Sequence, residues 1–376
     1  MPYENNHYVP QFILRSFGNQ IDVFNVKEQT LMLNRQPGTV FSDRAIYPPD
    51  LEREIGHKLE QPFSVLFHAK LEKGNPGDKV VLNRKELFLM KRFFLLEMMR
   101  VKPEKDQVLL EKVVFANDFK NTFTEKEIPG ETAESRWHRN LRTIIEVDDL
   151  RNISKHELCT YEVLRWANVL TSGYFAFWDC SQSETDFIIN DIGMTTERDD
   201  SVFKYGYERE KIDYTKSLLA RETRIDKRTA YEDILRALLG GFYENFYMFP
   251  LSKGRMIVLV NPFFRLYDKK EKLFKPTIWP THVEDRRLFA KNVSPDVPVY
   301  MGKPLYRDDD EFVYTIMPVS DADAEYINML MLDRVDTLLG YSSKERIIKS
   351  VRRYVEWHRE RNIPPPVNYE KLLGNE

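Results

Sequence analysis

The sequence predicts an α+β fold: a mostly antiparallel sheet covered by helices, with an N-terminal β-hairpin and a helical C-terminus. Three observations carry that expectation. Short alternating apolar runs bounded by turn residues occur near the start and again between residues 174 and 260. Residues 84–101 are apolar on nearly every side, the pattern of a buried central helix. No repeat and no Pro/Gly/Ser linker divides the 376 residues, so a boundary between 1–172 (motif, hairpin and helices) and 173–376 (sheet and C-terminal helices) is a soft one.

Taken in order, the chain opens on His7-Tyr8-Val9-Pro10-Gln11-Phe12, followed by Ile13, Leu14, Arg15, Ser16 and Phe17. Val9, Phe12, Ile13, Leu14 and Phe17 would anchor a terminus that most proteins leave mobile, presenting His7 and Arg15 at fixed positions. Residues 21–24 and 30–33 alternate as a hairpin, and 40–41 and 45–47 are short extended pieces. Pro48, Pro49 and Asp50 then start a helix in which Leu51, Ile55, Leu59 and Phe63 recur at helical spacing, with Pro62 expected to kink or restart it. In the central helix Glu97 and Arg100 form an i,i+3 pair, read first as a satisfied ion pair near the helix end.

Further helices are expected over 104–124, 131–146 and 156–170. Residues 174–178 and 187–189 read as two strands joined by a polar stretch, with a turn over 190–194. A strand pair follows at 247–252 and 256–260, then a strand at 311–317. Helices over 320–339 and 343–361 close the fold, and Pro364, Pro365 and Pro366 end it.

Composition limits the functional classes. A hydrophobic share of 42% with 13% aromatics supports a real core and argues against global disorder. No apolar run approaches the roughly 20 residues that span a bilayer, and Glu4, Asn5, Asn6 and His7 replace the basic-then-apolar start of an export signal. A soluble, cytoplasmic protein with no membrane partner is expected. Cys159 and Cys180 are too few for a disulfide framework or a thiolate zinc site and read as small buried residues. The net charge of −3 carries no global nucleic-acid signal. The local basic groups Arg139 with Arg142, Arg286 with Arg287 and Arg352 with Arg353 read as solvated faces beside acidic neighbours.

Familiar motifs are missing. There is no Gly-x-Gly-x-x-Gly, no Walker loop, no Gly-x-Ser-x-Gly and no His-x-x-x-His, and the seven histidines are scattered. What remains is a looser constellation. His7, Asp191 and Glu60 are the candidate catalytic residues, with Glu52 and Glu54 nearby in sequence; Gln11, Arg15 and Arg100 are the candidate substrate-binding residues. An imidazole with carboxylates at helix or strand ends suits general acid–base work or a single divalent ion of unassigned ligands. Guanidinium forks suit a phosphate or carboxylate. Each has a plainer reading too: Asp191 as a turn residue, the helix carboxylates as solvated surface, His7 as a cap or a core hydrogen-bonder.

The opening string, with Leu14, Arg15 and Phe17, resembles that of a largely bacterial family, domain of unknown function 4238. Other features are similar to that family in the same order: Glu52 or Glu54 with Glu60, the helix of Phe93 ending in Arg100, Trp178, Phe187, Pro250-Leu251-Ser252, and Ile327-Asn328. Where the family reads Ser-Asp-Asn-Pro, this chain has Asn190-Asp191-Ile192-Gly193, keeping the aspartate. The resemblance implies these site positions but no activity. His7, Val9 and Pro10 also resemble the start of the active hairpin in His-Asn-His nucleases, although the downstream Asn and His at short spacing are not evident.

Two readings from different classes therefore stand. In the first, the chain is a phosphodiesterase or nuclease-like hydrolase with nucleic acid or a phosphorylated ligand as its partner and His7 as general base. In the second, it is a non-catalytic sensor or interaction component of a defence or toxin–antitoxin type system, and the same residues form a buried polar network.

Overall fold

The structure, a computed structural model, describes residues 5–44, 46–100, 123–197, 207–224, 227–228, 231–232, 235, 246–261, 299–300, 303–304 and 311–374. Strand β1 (Asn5–His7) leads through Pro10 into helix α1 (Gln11–Phe17), and β2 (Ile21–Asn25) and β3 (Thr30–Arg35) form the expected hairpin. The next extended piece is β4 (Ser42–Arg44), which pairs antiparallel with β1. The expected strand at 45–47 is replaced by a bend at Ile46 and Tyr47, and residue 45 lies outside the described residues.

Helix α2 (Pro49–Ile55) begins at Pro49, one residue before Asp50, because a proline at the first helical position gives up no hydrogen bond. It does not break at Pro62. A π turn over Gly56–Glu60, closed by the Gln61 N–H donating to the Gly56 carbonyl, carries it into α3 (Gln61–Leu66), and a second π turn covers Phe67–Leu71. The α-helical pattern restarts after that turn at Gln61, with Pro62 in its first turn, where the missing N–H costs least. Leu51, Ile55, Leu59 and Phe63 are all fully buried, as their spacing predicts.

Strand β5 (Lys79–Asn83) feeds α4 (Arg84–Arg100), the expected central helix. Phe93 stacks on Phe63 at 3.9 Å, and Phe94 meets Phe249 at 4.3 Å, so α4 joins the helical layer to the sheet. The helix expected over 104–124 falls almost wholly outside the described residues. Helices α5 (Ala133–Glu146) and α6 (Tyr161–Ser172) follow, capped by the Thr132 and Thr160 side chains. Arg139 is not on a solvated face: with Arg136 it is buried among Glu125, Glu131 and Glu162. Arg142 pairs with Asp50 at the surface. Arg286 and Arg287 lie outside the described residues.

The remaining elements are β6 (Tyr174–Asp179), β7 (Ile189–Asn190), β8 (Thr195–Glu197), α7 (Tyr207–Arg221), β9 (Phe246–Pro250), β10 (Arg255–Val260), β11 (Val299–Tyr300), β12 (Lys303–Pro304), β13 (Glu311–Pro318), α8 (Asp321–Leu332), β14 (Leu338–Tyr341), α9 (Lys344–Arg361) and α10 (Glu370–Leu373). A six-stranded sheet runs β5-β13-β6-β10-β9-β8, antiparallel except for the β13–β6 pair. A four-stranded sheet runs β3-β2-β14-β7. Strands from both sides of residue 172 share both sheets.

Strand β6 is buried at every position because both faces of its sheet are covered. Phe175 and Phe177 pack into the core beneath α4, while Tyr174, Ala176 and Trp178 face Ala324 and Ile327 of α8. Two expectations for this half need correction. The strand expected at 187–189 is the shorter β7, which takes in Asn190 of the expected turn and lies in a different sheet from β6. The helix expected over 320–339 ends at Leu332, and residues 338–341 form β14, the strand between β2 and β7. Cys159 and Cys180 are buried free thiols. Among the described residues, no helix is long and apolar enough to cross a membrane.

Candidate functional site

The opening motif works as a two-sided device. Val9, Ile13, Leu14 and Phe17 are buried, and Phe12 meets Phe63, Phe67 and Phe93 at 5.8–5.9 Å. Anchoring one side of α1 leaves Gln11 and Arg15, spaced by four, on another, and His7 at the end of β1 meets Gln11 there. Arg15 donates to Gln11 Oε1 at 2.8 Å, and Gln11 Nε2 lies 3.4 Å from His7 Nδ1. A guanidinium can only donate, so Arg15 decides which end of the Gln11 amide is oxygen and turns its N–H toward the imidazole. His7 Nδ1 is then the acceptor, and the neutral ring carries its hydrogen on Nε2. His7 is 8% exposed, and its Nε2 is buried.

The facing wall comes from the 49–71 helical stretch. With Leu51, Ile55, Leu59 and Phe63 inward, Glu52, Arg53, Gly56, His57, Glu60, Gln61 and Ser64 take the other face at spacings of three and four. Together with His7, Gln11 and Phe12 they line a solvent-open cleft of about 580 Å³, within the size range of small-ligand sites.

Behind this wall lies a buried ion cluster. Arg100, at the end of α4, donates to Glu60 Oε1 through Nη2 and to Glu97 Oε1 through Nη1, the latter at 3.1 Å. The Arg100 side chain is 1% exposed, against 6% for Glu97 and 24% for Glu60. Tyr47 Oη donates to the Arg100 carbonyl at 3.3 Å and Trp137 Nε1 to the Met99 carbonyl at 2.7 Å, fixing the helix end. Burial alone would lower the guanidinium pKa. Glu60 and Glu97, with Tyr47 and Glu52 further off, outweigh it and hold it well above its ordinary value. Burial pushes Glu97 up to about 8; Arg100 opposes the shift, and the Glu60 charge adds to it.

The sign of the resulting pH dependence follows from linkage. Glu97 binds a proton in the folded state up to about pH 8, and in the unfolded chain only up to the ordinary glutamate range. Its contribution to stability is full below about pH 4.5 and is lost as pH rises toward 8, by roughly 1 kcal/mol per pH unit. Urea titrations at pH 5, 6.5 and 8 should therefore show wild type losing stability relative to Glu97→Gln. Parallel curves for the two proteins would contradict a protonated Glu97.

Of the predicted site residues, the structure brings His7, Gln11 and Glu60 to one cleft with Glu52, joins Arg15 through Gln11 and sets Arg100 behind Glu60. Glu54 faces Lys58 at 3.1 Å instead. Asp191 does not line the cleft. Its carboxylate accepts the backbone N–H groups of Asp336, Thr337 and Leu338 at 3.0, 2.6 and 3.0 Å, closing the loop that leads into β14. Its turn still reaches the back of the cluster: a Cβ at Gly193, whose φ is +73°, would lie 3.8 Å from Glu97 Oε2. Arg53, His57, Gln61 and Ser64 escaped the sequence reading. The signal was available, since they occupy the face opposite an apolar stripe that had been recognised. Among the described residues, no three His, Cys, Asp or Glu side chains group as metal ligands.

Fold and site together define an α+β protein whose N-terminal segment forms one wall of a polar cleft and whose π-turned helix forms the other. The chain belongs to the family DUF4238, described as a protein of unknown function, whose family model matches residues 5–345. No curated protein and no solved structure matches it.

Proposed function

We propose that the cleft is the active site of a cytoplasmic hydrolase acting on a phosphodiester or related phosphorylated substrate. The observation that carries this reading is the meeting of His7, Gln11, Glu52, Arg53, His57 and Glu60 around one open cleft. Hydrolysis of a phosphodiester needs a group to take a proton from water, a donor for the leaving oxygen and a cation for the phosphoryl charge. Imidazole, carboxylate and guanidinium are the side chains that supply these. Two buried thiols without a disulfide fit a reducing compartment.

The test is hydrolysis of bis(p-nitrophenyl) phosphate and of nucleic acid, with EDTA or with Mg²⁺, Mn²⁺ or Zn²⁺. Wild type should turn over at least one of these substrates. His7→Ala and Glu60→Gln should each lose about 100-fold or more when assayed at a temperature where the variant is still folded. Silence on every substrate, with both variants strongly destabilised, would overturn this reading.

That outcome would favour the second reading, a non-catalytic sensor or interaction component of a defence or toxin–antitoxin type system. One observation supports it: the Arg100 guanidinium and the Asp191 carboxylate both bond to groups inside the fold, and His7 Nε2 is buried. Buried polar contacts of this kind rigidify a fold whether or not they touch a ligand.

A further inference from the structure

Resting on the hydrolase reading, we infer that the proton-accepting group of the cleft is Glu60 rather than His7, and that buried Arg100, braced by Glu97, is the positioning residue that holds it there. The histidine is the first choice by residue type, but one of its nitrogens is occupied and the other is out of solvent's reach. Nδ1 receives the Gln11 N–H, an orientation that Arg15 enforces, and Nε2 is buried and carries the hydrogen of the neutral ring. Glu60 is the opposite case. It lines the cleft, its side chain is partly exposed, and Arg100 binds one of its oxygens from behind. A carboxylate has two oxygens and about four acceptor sites, so a contact at Oε1 orients the group without exhausting it.

Arg100 itself reaches no ligand, with 1% of its side chain exposed. Its second contact, to Glu97, places the guanidinium between the two carboxylates. The charged and titratable groups around Glu97 are Arg100 and Glu60, with Glu52 and Tyr47 acting on the same guanidinium. The 190–193 turn closes the far side through Gly193, which brings no side chain against Glu97 Oε2. With Glu97 holding a proton, Arg100 faces a single anion, and that anion is Glu60. A bare Glu97 would compete for the same guanidinium.

The experiment combines carboxyl ¹³C NMR of glutamate-labelled full-length protein with pH–rate profiles on bis(p-nitrophenyl) phosphate. In Arg100→Lys, which keeps the charge but loses the guanidinium fork, the Glu60 signal should move, and the acid limb of kcat/KM should move with it. In wild type, the Glu60 signal should show a second inflection near pH 8 as Glu97 ionises, and Glu97→Gln, which keeps the buried shape, should abolish it. A limb that stays put while the Glu60 signal moves would overturn the assignment and leave the hydrolase reading standing. An inflection that survives in Glu97→Gln would overturn the bracing role, and this arm holds even if Arg100→Lys fails to fold. No turnover by wild type on any substrate would overturn the hydrolase reading, and this inference with it.

Discussion

Arg100→Met should cost roughly 3–5 kcal/mol of folding stability, the range for removing one partner from a buried charge cluster. The reason is what stays behind. Glu60 would lose its cation, and the buried Glu97, 6% exposed, would lose the donor that bonds it. Methionine fills much of the space but supplies no donor. Replacing Arg100, Glu97 and Glu60 together by Met, Gln and Gln should recover most of the loss, because no buried charge is then unpaired. Chemical denaturation of both proteins at pH 6 checks this. A loss below about 1 kcal/mol in the single variant would mean that the cluster is solvated and far weaker than its burial indicates.

Asp191→Ala should destabilise the protein by roughly 2–4 kcal/mol, because it orphans three backbone N–H groups at once. Those groups belong to Asp336, Thr337 and Leu338, and the last of them begins β14. Since β14 lies between β2 and β7, its loosening should spread to the N-terminal hairpin. Amide hydrogen exchange is expected to accelerate over residues 333–341 and 21–25, and to change little over α4. If Asp191→Ala instead melts near wild type and loses turnover, the aspartate belongs to the reaction and not to the loop.

Much of the helical layer was legible because burial there follows a single periodic rule. Leu51, Ile55, Leu59 and Phe63 point one way, so their stretch had to be a helix with that face inward. The apolar surround of α4 likewise demanded a central position. The opening motif was legible for a similar reason. Of its five apolar residues within nine positions four are buried, and that burial leaves His7, Gln11 and Arg15 together on another side.

Sheet membership was not legible in the same way. Trp178 and Ile189 stand eleven positions apart in strands joined by one short polar stretch, and they belong to different sheets, because pairing is decided by which edges meet after the chain has folded back. Leu338 and Leu339 continued a helical spacing from α8, and their strand conformation depends on β2, more than 300 residues upstream, and on Asp191. Local propensity loses there to partners that no local window contains.

The candidate site divides along the same line. The sequence by itself determined which chemical groups are present at the start of the chain and on the first long helix, and that apolar anchoring would hold them in place. Only the tertiary structure decided their roles. It took Asp191 out of the cleft and gave it three backbone donors, put Arg100 behind Glu60, buried Nε2 of His7, and added Arg53 and His57 to the wall. The physical reason is that side-chain type sets what a group can donate or accept. Whether that capacity reaches a ligand depends on burial and on the partner opposite, and both are properties of the assembled fold.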